Sequence, residues 1–358
     1  MQSVFDHVLD RLTGWSSDDD DSDDTARVST RPATDHDAIT ASTDTDDTMS
    51  TSSITTSDTT GDSTDSTTSD TGDEWTAPES PTSKTLHDVT HTDRGPYACG
   101  VSGMVLTRTD GAWTAVVEDG PATRQNALKS IAATDDGERV WFAGSSGSLG
   151  ALDVSTGRKH DYSAPKEKTS TWEAIAVTGP KGDERIKVAN GSGEVLSVTT
   201  DENGCPVFGD VVKPGSGSTI PALGFGGGNW YAVDTSGNAF RTDDEGNWTD
   251  IGVRNAQVNF FDVHATEDRL LIAGGDGRIY RYDDVCKNWT PVIAGEGALQ
   301  SIDGDGSTIA VAGAAGGVFR RGTGGWQEES TPVADDLFGL SLGPSDVAVG
   351  ASGTIIER

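Results

Sequence analysis

Three carboxylates, Asp88, Glu173 and Asp262, stand one or two places after an apolar residue in similar local contexts. Acids of this kind can be paired as the acid and base of a hydrolase or lyase. They can equally hydrogen-bond water or neighbouring backbone. His87, His91 and His264 fall in the same contexts, and three imidazoles can bind a metal ion, although nothing in their spacing requires one. Arg241, Arg281 and Arg320 share a different slot, four residues after a glycine. Lined up side by side they would make a basic arc able to anchor an acidic partner segment, since arginine is enriched in interaction hot spots. Pairing with nearby turn acids such as Asp243 and Asp283 is the alternative. Cys99, Cys205 and Cys286 are isolated and odd in number, which suits free thiols in a reducing compartment.

What must position these residues is a motif that recurs seven times between residues 95 and 358. Each copy is an apolar strand, a small-residue turn ending in glycine, and a second apolar strand. The glycines are Gly103, Gly147, Gly193, Gly237, Gly277, Gly316 and Gly353. Spacings of this size match one four-stranded blade of a propeller. Upstream of each turn two apolar residues lie three apart: Leu86 and Val89, Leu128 and Ile131, Trp172 and Ile175, Ile220 and Leu223, Phe260 and Val263, Leu299 and Ile302, Leu337 and Leu340. These read as inner strands. Downstream, Trp113, Trp248, Trp289 and Trp326 open outer strands, with Tyr162 and Phe208 expected in that place in the second and third repeats. The seventh repeat stops after its third strand. The segment around Trp75 reads like the missing outer strand, so residues 74–79 are expected to pair with Gly353–Glu357 and close the ring. The fold class expected is all-β, a seven-bladed β-propeller over residues 74–358.

The stretch from Thr242 to Trp248 resembles the Asp-box of BNR/sialidase-like propellers, and Arg108 to Trp113 resembles a shorter version. The resemblance implies a structural part for Asp110, Trp113, Asp244 and Trp248, the acid capping the turn and the Trp packing between sheets. Residues 74–358 also resemble photosystem II stability/assembly-factor propellers and related haloarchaeal propellers, which implies a scaffold or assembly role. A sialidase activity is disfavoured, because the expected inner strands carry no arginine cluster. The glycine turns are not followed by Lys-Ser/Thr or a helix, so no phosphate-binding loop is expected.

Residues 1–15 carry Val4, Phe5, Val8, Leu9 and Leu12 on one helical stripe. A helix this short is marginal alone, and it is expected to be a docking element for a protein partner. Residues 16–73 are nearly all Asp, Ser and Thr, too polar to offset chain entropy, and read as a disordered linker. The formal net charge is −32; residues 1–80 hold 20 acids against 3 bases. This acidity suits a salt-rich, haloarchaeal cytoplasm and disfavours nucleic-acid binding, which needs a basic face. The start lacks a signal-peptide pattern, and no apolar run is long enough to span a membrane. The expectation is therefore a cytoplasmic, monomeric, non-enzymatic interaction or assembly scaffold with no cofactor, no metal and no catalytic residue. The alternative is a propeller hydrolase or lyase using carboxylates at the channel mouth. A sensor binding a small ligand on the axis leaves no mark in the sequence.

Overall fold

A computed structural model of the chain describes residues 74–243, 246–253 and 256–358. The expected helix with Val4, Phe5, Val8, Leu9 and Leu12, the linker 16–73, and Asp244 lie outside the described residues.

The apolar pairs three apart do form the inner strands, and the spacing has a structural cause. Side chains alternate along a strand with period two, so residues i and i+3 should face opposite sides. Here all fourteen are buried, none more than 8% exposed. A β-bulge reconciles the two facts. The register slips between Leu86 and Asp88, Leu128 and Ser130, Phe260 and Asp262, Leu299 and Ser301, and Leu337 and Gly339. It also slips opposite Trp172 and Ala174. One extra residue is thereby extruded from each of these strands while both apolar neighbours stay in the core. In the fourth repeat Pro221 precedes the strand Ala222–Gly226, where its missing N–H leaves no ladder bond unmade.

Each repeat builds one antiparallel sheet. Blade 1 runs Leu86–Thr92, Gly95–Gly100, Val105–Thr109 and Ala112–Val117 from the inside outward. Five further sheets, with inner strands Leu128–Ala133, Trp172–Thr178, Ala222–Gly226, Phe260–Ala265 and Leu299–Asp305, repeat that order. Blade 7 has three strands of its own, Leu337–Ser341, Val347–Gly350 and Ile355–Glu357. Thr76 completes it: its N–H donates to the Glu357 carbonyl and the Glu357 N–H donates back, both at 2.8 Å. Each inner strand packs on the next, and the seventh packs on the first. The molecule is a closed seven-bladed β-propeller whose core is a series of apolar layers between neighbouring blades. Among the described residues no helix is long and apolar enough to cross a membrane.

The seven turn glycines serve two needs at once. Their φ values lie between +70° and +81°, the left-handed region that side chains disfavour. A Cβ at any of them would also come within 2.0–2.7 Å of backbone in the connection to the next blade. Tight hairpins explain the first requirement, and only blade-on-loop packing explains the second.

Candidate functional site at the channel mouth

The six extruded residues converge with Pro221. His87, Lys129, Glu173, Pro221, Phe261, Gln300 and Phe338 come one from each blade and line a cavity of about 190 Å³ at one end of the channel. Around the ring the order is cationic Lys129 and acidic Glu173 on adjacent blades, then Pro221, Phe261, Gln300, Phe338 and His87. Bulges are a recurrent means of re-aiming side chains into sites. Burial, helped by the Lys129 charge, pushes the His87 imidazole down to about 4, so it is neutral near pH 7. Burial raises Glu173 above its ordinary value, opposed by Lys129.

The carboxylates one place further on are differently employed. Asp88 accepts from the Ser130 hydroxyl (2.8 Å) and the Ile131 N–H (2.9 Å) of the next blade, and from its neighbour Val89 N–H. Asp262 repeats the arrangement with Ser301, Ile302 and Val263. Asp303, further along the blade 6 strand, accepts from the Leu342 N–H of blade 7 and from the Gly304 N–H. These acids stitch inner strands together, and their oxygens are engaged by three or two donors each. Packed protein around them nevertheless raises Asp88 to about 6 and Asp262 to about 7, the hydrogen bonds opposing the shift. Asp303 is raised to about 6 by the same burial.

The sign of the linkage follows. A carboxyl whose folded value is raised contributes stability that is present in full below its unfolded value and is lost as pH rises through the folded one. Between about pH 4 and 7 the ring should therefore gain stability from these three groups on acidification. We expect urea midpoints to rise as pH is lowered from 7 toward 5, and the slope to flatten in Asp262→Asn. An unchanged slope in that variant would assign the effect to other groups.

The histidines do not gather. His87 faces the cavity, whereas His91 shares a 2.8 Å hydrogen bond with Ser341 Oγ of blade 7. His264 lies 3.7 Å from Asp303. Among the described residues no three His, Cys, Asp or Glu side chains come together as a metal site. Cys99 is buried, and Cys205 and Cys286 are exposed, all three as free thiols.

The three arginines do occupy equivalent slots in blades 4, 5 and 6, but two of them turn toward the next blade. Arg241 pairs with Asp284 of blade 5 at 2.9 Å. Arg320 pairs with Glu329 of its own blade and with Asp346 of blade 7 at 2.7 Å. Arg281 is exposed. The seventh blade carries Glu357 in this slot, which ion-pairs with Arg108 and accepts from the Trp113 indole at 2.7 Å. The position thus acts as a polar clip between blades rather than as one continuous basic arc.

The outer-strand aromatics complete the clips. The Trp75 indole donates to Glu329 (2.8 Å) and that of Trp289 to the Ile251 carbonyl (2.9 Å), each reaching back one blade. Trp248 and Trp326 pack half-buried against the interblade layers. Phe208 holds the same register, opposite Val198. In blade 2 the register places Lys159 there, opposite Leu152, and not Tyr162. Lys159 Nζ reaches back to the Gly120 carbonyl at 2.6 Å, as the indoles do, while Tyr162 stacks on Trp141. Asp110 and Gly111 both have positive φ, 52° and 83°, and form a two-residue hairpin. In the longer box the Asp243 carboxylate accepts from the Asn247 N–H at 3.2 Å.

No protein-family model matches this sequence, and no curated protein sequence matches it. Solved structures do match. A virginiamycin B lyase from Staphylococcus aureus superposes with a TM-score of 0.67 at 16% identity, covering 79% of this chain and 98% of the other. YCF48 bound to D1 peptide superposes with a TM-score of 0.62 at 16% identity, covering 80% and 95%. YCF48 from Cyanidioschyzon merolae gives 0.61 at 14%, covering 79% and 98%. The shared feature is the seven-bladed ring. At these identities the likeness carries the fold and no activity. It does correct the expectation of a non-enzymatic chain: the same ring serves as a lyase, so the architecture gives no ground for that exclusion.

Proposed function

We propose that this propeller is an interaction module of an assembly scaffold that receives an extended segment of a partner protein. The observation that carries the reading is a groove of about 1150 Å³ between blades 4 and 5. Arg241, Arg278, Lys287, Tyr280, Tyr282 and Trp289 are among its lining. Arginine and large aromatics are the residue types that dominate binding energy at protein interfaces. The propeller that carries a D1 peptide lends support, since a ring of this shape can present a peptide site. Residues 1–15, with Val4, Phe5, Val8, Leu9 and Leu12, supply a second docking element on the same reading. Arg281, exposed on blade 5, adds a cation on the strand that carries Arg278. The charge of −32 supports a salt-adapted cytoplasm as the setting.

The test is affinity capture from native cells at high salt, followed by titration of the captured partner. Two variants are compared with the full chain: a deletion of residues 1–15, and Arg278→Ser/Arg281→Ser/Lys287→Ser. Arg241 and Arg320 are kept because they clip blades together. Each variant is expected to weaken the partner by about tenfold or more, the loss of hot-spot contacts. Full-strength capture by both would overturn the reading.

A further inference from the structure

We propose that the channel mouth is a binding site for a free α-amino acid, its carboxylate held by Lys129 and its ammonium by Glu173. The proposal does not rest on the scaffold reading and concerns a different end of the molecule's chemistry.

The site is built, not incidental. Six of the seven inner strands accept a bulge, and the extruded residue of each lines this one cavity. A bulge leaves a residue out of the ladder, and here the cost is incurred in blade after blade. The charges at the mouth are also unspent. Lys129 and Glu173 sit on adjacent blades and feel each other's charge. Yet among the described residues neither has a hydrogen bond or ion pair, in a ring that clips almost every other half-buried charge to a partner. Their separation is therefore too great for each to satisfy the other directly.

The chemistry that fits follows from that pair. A simple anion drawn to Lys129 meets Glu173 beside it, and a simple cation drawn to Glu173 meets Lys129. A ligand with a carboxylate and an ammonium on one carbon satisfies both, and removes two half-buried charges from an unpaired state. His87 is neutral near pH 7 and adds no net charge. With Gln300 it offers neutral hydrogen-bonding groups at the rim. The rest of the lining mixes Pro221, Phe261 and Phe338 with Asp88, Ser130, Asp262 and Ser301, so selection rests on the paired charges of the ligand and not on its side chain. The cavity, about 190 Å³, is smaller than the roughly 300–1,000 Å³ of pockets for drug-sized ligands, which suits a single amino acid.

Calorimetric titration of the full chain with L-leucine and L-phenylalanine tests this. Saturable binding is expected for at least one. N-acetyl-leucine lacks the ammonium, and leucinamide lacks the carboxylate. Each should bind about tenfold more weakly or worse, the loss of one charge-assisted contact. Leucyl-leucine, whose charges are a peptide apart, should also bind at least as poorly; equal binding would mean the mouth takes a peptide terminus and would overturn the proposal. Lys129→Met and Glu173→Gln should each cost a similar factor with unchanged circular dichroism. No saturable binding by either amino acid, or equal binding by the analogues, would sink it. The analogue series uses the unaltered protein, so it decides the matter even where a variant fails to fold. Partner capture by the groove between blades 4 and 5 reads out separately and stands or falls by itself.

Discussion

Replacing Trp75 by alanine should destabilise the propeller by about 3–5 kcal/mol, the range for removing a buried Trp side chain. Trp75 is 5% exposed and belongs to the apolar layer with Val318, Leu337 and Ile356. Its indole also donates to Glu329, a carboxylate that binds Arg320 and Arg358 as well. The segment it anchors is the outer strand that joins the start of the ring to its end through Thr76 and Glu357. Losing the anchor therefore removes packing and frees the edge of Ile355–Glu357, an unpaired strand able to template aggregation. Urea unfolding followed by Trp fluorescence, with light scattering alongside, measures both effects. Trp75→Phe keeps most of the packing and loses the indole donor, so it should cost about 1–3 kcal/mol, the loss of one hydrogen bond to a carboxylate that keeps Arg320 and Arg358. A Trp75→Ala variant as stable as the parent would mean that closure rests elsewhere.

Arg139→Met is the second substitution with a large expected cost, also about 3–5 kcal/mol. The Arg139 side chain is 9% exposed and binds Asp153 at 2.7 Å and Glu184 of blade 3 at 2.8 Å; the Glu184 side chain is fully buried. Methionine fills much of the same volume, so the loss is that of the charge. Two carboxylates would be left facing each other with Lys181, 3.6 Å from Asp153, as the remaining nearby cation. Despite its burial, Asp153 is held below its ordinary value by hydrogen bonding to Arg139, and by the charges of Arg139 and Lys181. A carboxyl lowered in this way contributes stability above its unfolded value and loses it as pH falls through the folded one. In the parent that loss comes at pH below about 4. In Arg139→Met the contribution disappears, and the variant should be hurt most near neutral pH and least in acid. Equal destabilisation at pH 7 and pH 3.5 would show that packing, not charge, dominates at this site.

These two sites show different degrees of legibility. The closing segment was readable because Trp75 stands in the same grammar as Trp113, Trp248, Trp289 and Trp326, and a seventh repeat lacked a fourth strand. The Arg139 cluster was not, because Glu184 lies 45 residues away and no period links the two. The arginine slot was read at the right positions in blades 4 to 6, but its side-chain direction depends on what the next blade offers. Asp284 and Asp346 offer carboxylates, and the arginines turn to them. Lys159 shows the same limit. Its register follows from the length of the preceding hairpin, which the nearby aromatic Tyr162 does not report.

The channel mouth also has a signal in the sequence. Two apolar residues three apart do not belong to a regular strand, and their recurrence in seven inner strands implies an extra residue in each. That spacing points to the two residues between each pair, among them His87, Lys129, Glu173, Pro221, Phe261, Gln300 and Phe338. It does not show that Asp88 and Asp262, one residue on, are tied to the backbone of the neighbouring blade.

The amino-acid order by itself determined the number of blades, the place of the inner and outer strands, and the segment that closes the ring. Those are set by local periodicity and turn chemistry, which repeat with the chain. The tertiary structure decided which charges are spent in clips between blades and which remain open at the mouth. Such choices depend on distances between residues about 40 positions apart, and equivalent slots acquire different partners because each blade meets a different neighbour.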